Sequence, residues 1–269
     1  MQGQYGGIVR RIVVKLGGSV ITKKHEGVRE VDQKVLDILS SEISRALKES
    51  ALQVLIVHGA GPYGHVPAKK YGLAEGFKSV DQIPGIVETR LGMEELNRIV
   101  VSSLANAGVN AVAFQPSAAI MLDDGRINDF DVSIVRKMLE LRLVPVGYGD
   151  VLTDVRTGFK ILSGDQLTAY LAKMIGADLV VMVGDYDGVF EGEPGESEQI
   201  KELTRGNIDS FEFGAGKGAD VTGGFKRKLE ELLELADAGI ATRIVSGREK
   251  DFLYDSLVVR KEHGTLVKK

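Results

Sequence analysis

The feature that most constrains this chain is a set of short, nearly uninterrupted apolar runs, at 12–16, 54–57, 111–114, 144–146, 179–183 and 241–245, separated by longer stretches of helical periodicity. A run that is apolar on successive residues has no polar face to give to water, so each predicts a strand covered on both sides. Between the runs, Val31, Val35, Leu39, Ile43 and Leu47 share one helical face, as do Leu229, Leu232, Leu233 and Ala236. Gly239 stands where a helix commonly ends in a left-handed glycine. This alternation predicts an α/β fold with a largely parallel sheet. From Leu257 onward the pattern predicts two short strands around Gly264, an edge hairpin. The acidic stretch 191–198 reads as a solvated loop.

Composition narrows the function classes. The 269 residues carry 43% hydrophobic and 27% charged side chains, enough for a sizeable core in one large domain or two lobes. With 34 basic and 38 acidic residues the net charge is −4, which argues against a nucleic-acid clamp. The absence of cysteine excludes disulfide scaffolds, zinc–thiolate sites and thiol nucleophiles. His25, His58, His65 and His263 are too scattered to suggest a histidine-rich metal centre. No apolar run reaches the ~18 residues of a membrane span, and the first residues lack a signal-peptide core, so the expected location is the cytoplasm.

In parallel sheets, ligands bind beyond the carboxyl ends of strands, so the residues just after each run carry the functional signal. Lys15-Leu16-Gly17-Gly18-Ser19, with Lys23 and Lys24 following, pairs backbone amides free of side chains with positive charge, a phosphate-binding combination. His58-Gly59-Ala60-Gly61-Pro62-Tyr63-Gly64-His65 contains G-x-G-x-x-G after a strand. It lacks the acidic partner of a dinucleotide site, and His65 and Val66 stand where a P-loop needs lysine and serine or threonine. What remains is an anion-binding loop bearing an imidazole. Gly147-Tyr148-Gly149-Asp150 and Ser163-Gly164-Asp165 offer two carboxylates, Asp150 and Asp165, to orient lysines or contact metal. Alternatively, Ser163 simply caps a helix that favours an acid in its first turn. Gly184-Asp185-Tyr186-Asp187-Gly188 fails as a calcium loop, because Val189 and Phe190 occupy the positions of a ligand and the turn glycine. Asp220-Val221-Thr222-Gly223-Gly224 then opens a helix with Lys226, Arg227 and Lys228 in its first turn, against the dipole preference. An anionic ligand there resolves the conflict.

Taken together, from about Ile12 to about Gly247, these motifs resemble the amino acid kinase superfamily, and more narrowly the archaeal-type isopentenyl phosphate kinases. The narrower resemblance rests mainly on His65. It implies an open αβα sandwich with a largely parallel central sheet, an acceptor lobe at about 1–170 and a nucleotide lobe at about 171–269. By the same resemblance, Lys15, Gly17, Gly18, Ser19, Gly61 and Lys228 meet the nucleotide phosphates, while Asp185 and Gly223 lie where nucleotide is held. Ala60, His65 and Gly164 contact the acceptor phosphate, Asp165 organises the lysines, and Lys24, with Lys23 as rival, is the transition-state lysine. The implied cofactors are ATP and Mg²⁺, the partner an isoprenoid monophosphate, and the assembly a homodimer. Two departures stand out. Gly184 and Glu191 replace threonines in the family's Thr-Asp-Val-Asp-Gly-Val-Tyr-Thr segment, and Pro62-Tyr63 replaces Ser-Phe.

The implied reaction is phosphorylation of isopentenyl phosphate to isopentenyl diphosphate by ATP, a step of isoprenoid biosynthesis, with Mg²⁺ carried on the nucleotide phosphates. A phosphonate-antibiotic kinase of the fosfomycin type, a nucleotide-binding storage or sensor protein without turnover, and, more distantly, a dinucleotide oxidoreductase share parts of this pattern. The stretch Ile86, Leu91, Met93, Leu96 and Val100 is expected to form one helix that walls the acceptor's apolar tail.

Overall fold

The computed structural model describes residues 9–23, 28–192, 196–211 and 224–269, with the side chains of 224–227 outside that description. In chain order, the first half contains β1 (Arg10–Leu16), α1 (Gly18–Ile21), α2 (Gln33–Glu49), β2 (Leu52–His58), α3 (Gly61–Lys70), α4 (Ile83–Asn106) and β3 (Ala111–Ala113). Next come α5 (Pro116–Ala119), β4 (Ile120–Asp123), β5 (Arg126–Phe130), α6 (Ser133–Glu140), β6 (Val144–Tyr148), β7 (Asp150–Asp154) and β8 (Gly158–Leu162). The remainder holds α7 (Gly164–Ile175), β9 (Leu179–Gly184), β10 (Val189–Phe190), β11 (Gln199–Ile200), β12 (Glu202–Leu203), α8 (Gly224–Asp237), β13 (Ala241–Ser246), α9 (Phe252–Val258) and β14 (Thr265–Val267).

All six predicted runs are strands of one eight-stranded sheet, ordered β12-β14-β13-β9-β1-β2-β6-β3. Every neighbouring pair is parallel except β13 with β14. Alternation along β1 explains the two-sided burial. Ile12, Val14 and Leu16 enter a core with Leu36, Leu39 and Ile43 of α2, Met93 and Leu96 of α4, and Leu253 of α9. Val13 enters the opposite core with Leu139 of α6, Leu167 and Leu171 of α7, and Leu229 and Leu232 of α8. Helices therefore cover both faces, as the continuous apolar runs predict, and the layers form the αβα sandwich that the family resemblance implies. Gly239 ends α8 as predicted, at φ +81°, with the Gly239 N–H donating to Ala236 O and the Ile240 N–H to Leu235 O.

The chain leaves β1 towards β2 on one side and returns to it through β9 on the other. That reversal puts a crevice at the carboxyl ends of β1, β2 and β9. A second sheet, ordered β5-β4-β7-β8, stands beside this end and is fastened to α7 by the Gln166 Nε2 bond to Gly125 O at 2.9 Å. The sequence pattern did not single out these four strands.

The expected C-terminal hairpin is not present. Leu257 lies fully buried in α9, and one strand, β14, follows Gly264. It pairs between β13 and β12 instead of forming an edge. The run through Leu257 is short enough to satisfy either periodicity, and packing of Leu253 and Leu257 against the sheet selects the helix. Among the described residues no helix is long and apolar enough to cross a membrane. Leu257→Ala should lower the unfolding free energy, measured by denaturant titration, by about 2–5 kcal/mol; a leucine on an exposed hairpin would cost far less.

Candidate active site

At the crevice the glycine segments after β1 and β2 pack backbone against backbone. A Cβ on Gly18 would fall 2.4 Å from the Gly61 nitrogen, and one on Gly59 would fall 2.6 Å from the Gly18 nitrogen. Only glycine permits this approach, which brings the two sets of backbone amides to one place. Gly17 is tied to β9 by its N–H bond to Val183 O at 2.9 Å. The resulting cleft has a volume of about 460 Å³. Of the predicted site residues, Lys15, Gly17, Gly18, Ser19, Ala60, His65, Gly164, Asp165 and Lys228 all line it.

Its charged centre is an ion cluster. Lys15, on the same face of β1 as Val13, places Nζ 2.9 Å from Asp165 Oδ1. Lys228, in the first turns of α8, places Nζ 3.6 Å from Asp165 Oδ2. Burial alone would favour the neutral acid, but the charges and hydrogen bonds of Lys15 and Lys228 outweigh it and hold the Asp165 pKa down to about 2. In turn the Lys15 charge lowers the pKa of Lys228 against the pull of Asp165. Two cations on one anion leave a net positive charge. The N-termini of α3 and α7 face the same space and add their dipoles to it. Ser163 does cap α7, its Oγ accepting from the Gln166 N–H at 3.1 Å. Ser163 thus caps the same helix whose first turn carries Asp165 to both lysines.

His65, one turn into α3, is open to the cleft. The surrounding protein and the Lys15 charge lower its pKa, and the ring can donate an N–H in either protonation state. His58 behaves differently. It is wholly buried at the end of β2, stacked on Tyr148 at 5.4 Å between centroids. Its Nδ1 lies 3.0 Å from Gly59 O, and Asn97 Nδ2 lies 3.1 Å from its Nε2. A carbonyl can only accept and an amide nitrogen only donate, so the ring is the neutral Nδ1–H tautomer. This chain of bonds anchors the glycine segment to α4. Sequence reasoning gave His58 no role, because its partner lies on a distant helix.

Other predicted residues lie elsewhere. Asp150 borders the cleft, but its Oδ1 accepts from the Val151 N–H at 2.8 Å and its charged neighbours are Arg90 and Glu94. Asp165, not Asp150, organises the lysines. Gly61, at φ +50°, packs on Thr22 behind the lining. Asp185 follows β9 and pairs with Arg248. Lys23 pairs with Glu30 at the surface. Lys24 and Gly223 lie outside the described residues, as do 220–222. Of the expected apolar wall only Met93 lines the cleft, with Thr89 one turn before it. Leu96 and Val100 sit in the core and Leu91 faces outward, because the 3.6-residue repeat turns residues 91 and 93 to opposite sides of α4.

The sequence pattern described as Amino acid kinase family matches residues 10–246. The isopentenyl phosphate kinase of Methanothermobacter thermautotrophicus is 34% identical, over 95% of this chain and 98% of that one. The enzyme of the same name from Methanocaldococcus jannaschii is 31% identical, over 91% and 94%. Among solved structures, one described as X-ray structures of isopentenyl phosphate kinase superposes with a TM-score of 0.82 at 30% identity, over 96% of this chain and all of that one. The Thermoplasma acidophilum isopentenyl phosphate kinase product complex, at 23% identity and TM-score 0.78, shares the fold.

Burial lowers the His58 pKa from 6.5 to about 4. The unfolded chain therefore binds the proton first, and stability present above pH 6.5 drains away as pH falls towards 4. The loss, read by denaturant titration, should reach about 3 kcal/mol, and His58→Gln should flatten that part of the profile. The family pattern, the full-length relatives and the superposed structure agree: this chain belongs to the amino acid kinase family, and within it resembles the isopentenyl phosphate kinases along almost its whole length.

Proposed function

We propose that the chain transfers the γ-phosphoryl group of ATP to isopentenyl phosphate, giving ADP and isopentenyl diphosphate. One observation carries this reading: Lys15 and Lys228 converge on Asp165 in a cleft also lined by His65, in a chain whose relatives of matching length are named for that reaction.

The chemistry suits a site built of lysine and glycine. A phosphomonoester has its second pKa near ~6, so at pH 7 the attacking oxygen is already deprotonated and no general base is needed. The obstacle is repulsion between two polyanions aligned for transfer, and positioned positive charge removes it. Lys15 and Lys228 stand against the nucleotide phosphates, with the amides of Gly17 and Gly18. Ala60, His65 and Gly164 hold the acceptor phosphate, His65 by donating an N–H. Asp165 keeps both ammonium groups at one spot before substrates arrive, so little reorganisation remains. Lys24 supplies the transition-state charge. Asp165 gives its oxygens to the two lysines. The nucleotide phosphates would carry Mg²⁺, whose charge would offset part of theirs.

In this reading the acceptor lobe spans about 1–170 and the nucleotide lobe about 171–269, and the reaction runs in the cytoplasm. The assembly is a homodimer. Ile83, Val87 and Leu91 support that part, forming an exposed apolar stripe along α4. Val87→Asp should halve the mass measured by light scattering if two copies meet there.

A coupled ADP-release assay across isopentenyl, dimethylallyl and geranyl phosphates, with fosfomycin as control, tests the reaction. Turnover on isopentenyl phosphate is expected. Turnover on fosfomycin alone would make the chain a phosphonate kinase, and none on any acceptor would leave a nucleotide-binding protein. In the same assay Lys24→Ala should lower kcat by roughly 10²–10³. His65→Ala should raise KM for the acceptor more than KM for ATP, and an equal rise would remove its assigned role.

A further inference from the structure

We infer that Arg248 positions the donor nucleotide, acting through Asp185 and the Ser19 turn without touching the reacting atoms. The inference rests on the kinase reading above. Arg248 follows Gly247 just past β13. Its Nε and Nη2 each lie 3.0 Å from Asp185 Oδ1. Its Nη1 lies 3.3 Å from Asp32 Oδ2, and its Nη2 3.3 Å from Ser19 O. One planar guanidinium thus joins the residue after β9, the cap of α2 and the turn that lines the cleft after β1. Lysine, with a single point of charge, cannot reproduce that fork.

The backbone around it is laced just as closely. The Gly247 N–H donates to Gly184 O at 2.8 Å, beside the Gly17 N–H bond to Val183 O. A Cβ on Gly247 would meet Val183 Cγ1 at 2.6 Å and Val20 Cγ1 at 2.7 Å. The arginine therefore starts from a position pressed onto the ends of β9 and α1, with its reach set by the backbone. Ser19 and Gly184 both line the cleft, so the residues that Arg248 holds, or their immediate neighbours, form its nucleotide side.

Charge gives the arrangement its consequence. Asp185 follows Gly184, which lines the cleft, and Asp32 shares Arg248 with Ser19, which also lines it, so both carboxylates sit near the wall of the donor site. The guanidinium neutralises part of that charge and fixes Asp185 relative to the Gly17–Gly18–Ser19 amides. Without it the acids would repel the nucleotide and the two walls of the donor site would lose their common tether. Ala60, His65 and Gly164, on the acceptor side, make none of these contacts. The effect should fall on one substrate.

The test compares Arg248→Met and Arg248→Lys with the unaltered chain. Calorimetric titration of ADP, KM for ATP, KM for isopentenyl phosphate and thermal midpoint are measured for each. In Arg248→Met the ADP dissociation constant and KM for ATP should rise about tenfold, the scale of one charge-assisted hydrogen bond, while KM for the acceptor stays within about twofold. Arg248→Lys should recover only part of the loss. If Arg248→Met does not fold, Arg248→Lys decides by the same split. Unchanged ADP affinity in a folded variant, or equal weakening of both substrates, overturns the inference. If the unaltered chain binds ADP without turning over isopentenyl phosphate, the kinase reading fails and the ADP titration still decides the role of Arg248. If it binds no nucleotide, both fall.

Discussion

Two lysines sharing one carboxylate at the mouth of a parallel sheet form the interaction around which the site is organised. Lys15 comes from a central strand, Asp165 from the first turn of α7 and Lys228 from the start of α8. Bringing two ammonium groups together without Asp165 would cost their mutual repulsion. With it, they stand as a preformed cation pair with a net positive charge. The low pKa of Asp165 and the lowered pKa of Lys228 are two sides of this balance. Neutralising the carboxylate would therefore loosen both lysines at once, an effect no single lysine substitution reproduces.

The cluster faces a second constraint, the contact between glycine segments. Because Gly18 and Gly59 leave no room for a side chain, the amides after β1 and β2 are fixed relative to each other before any ligand binds. His58 secures one of these segments from beneath through Gly59 O, and Asn97 holds the ring from α4. Its neutrality follows from burial, which suits a group set close to Lys15. A cation at that position would repel Lys15. The site thus pairs charge on side chains at the surface of the cleft with strictly neutral support below.

How much of this was legible in the sequence depended on the range of the interaction. The strands were readable because burial on both faces forces continuous apolar runs, and the helical faces because their residues recur with the turn. The glycine segments were readable because close backbone approach admits no other residue. The four strands beside the cleft were not, since several of their residues are exposed and their runs carry no continuous apolar signal. The helix at Leu257 looked like a strand because a short apolar run satisfies both periodicities. Asp150 and Asp165 each follow a glycine near a strand end, and nothing local distinguishes them. Only the direction of each side chain assigns one to Arg90 and the other to the lysines.

The order of residues by itself determined the α/β class with its largely parallel sheet, the positions of the strand ends and the chemical character of the segments just beyond those ends, because each depends on neighbours within a few residues. Tertiary structure alone decided which of those ends meet. It brought Lys15 and Lys228 together on Asp165, placed Asn97 beneath the glycine segment and drew Arg248 onto Ser19, Asp32 and Asp185, residues far apart along the chain. Ion pairs and buried hydrogen bonds act over a few ångströms of space and impose no spacing along a sequence, so they become visible only once the sheet has set its strands in order.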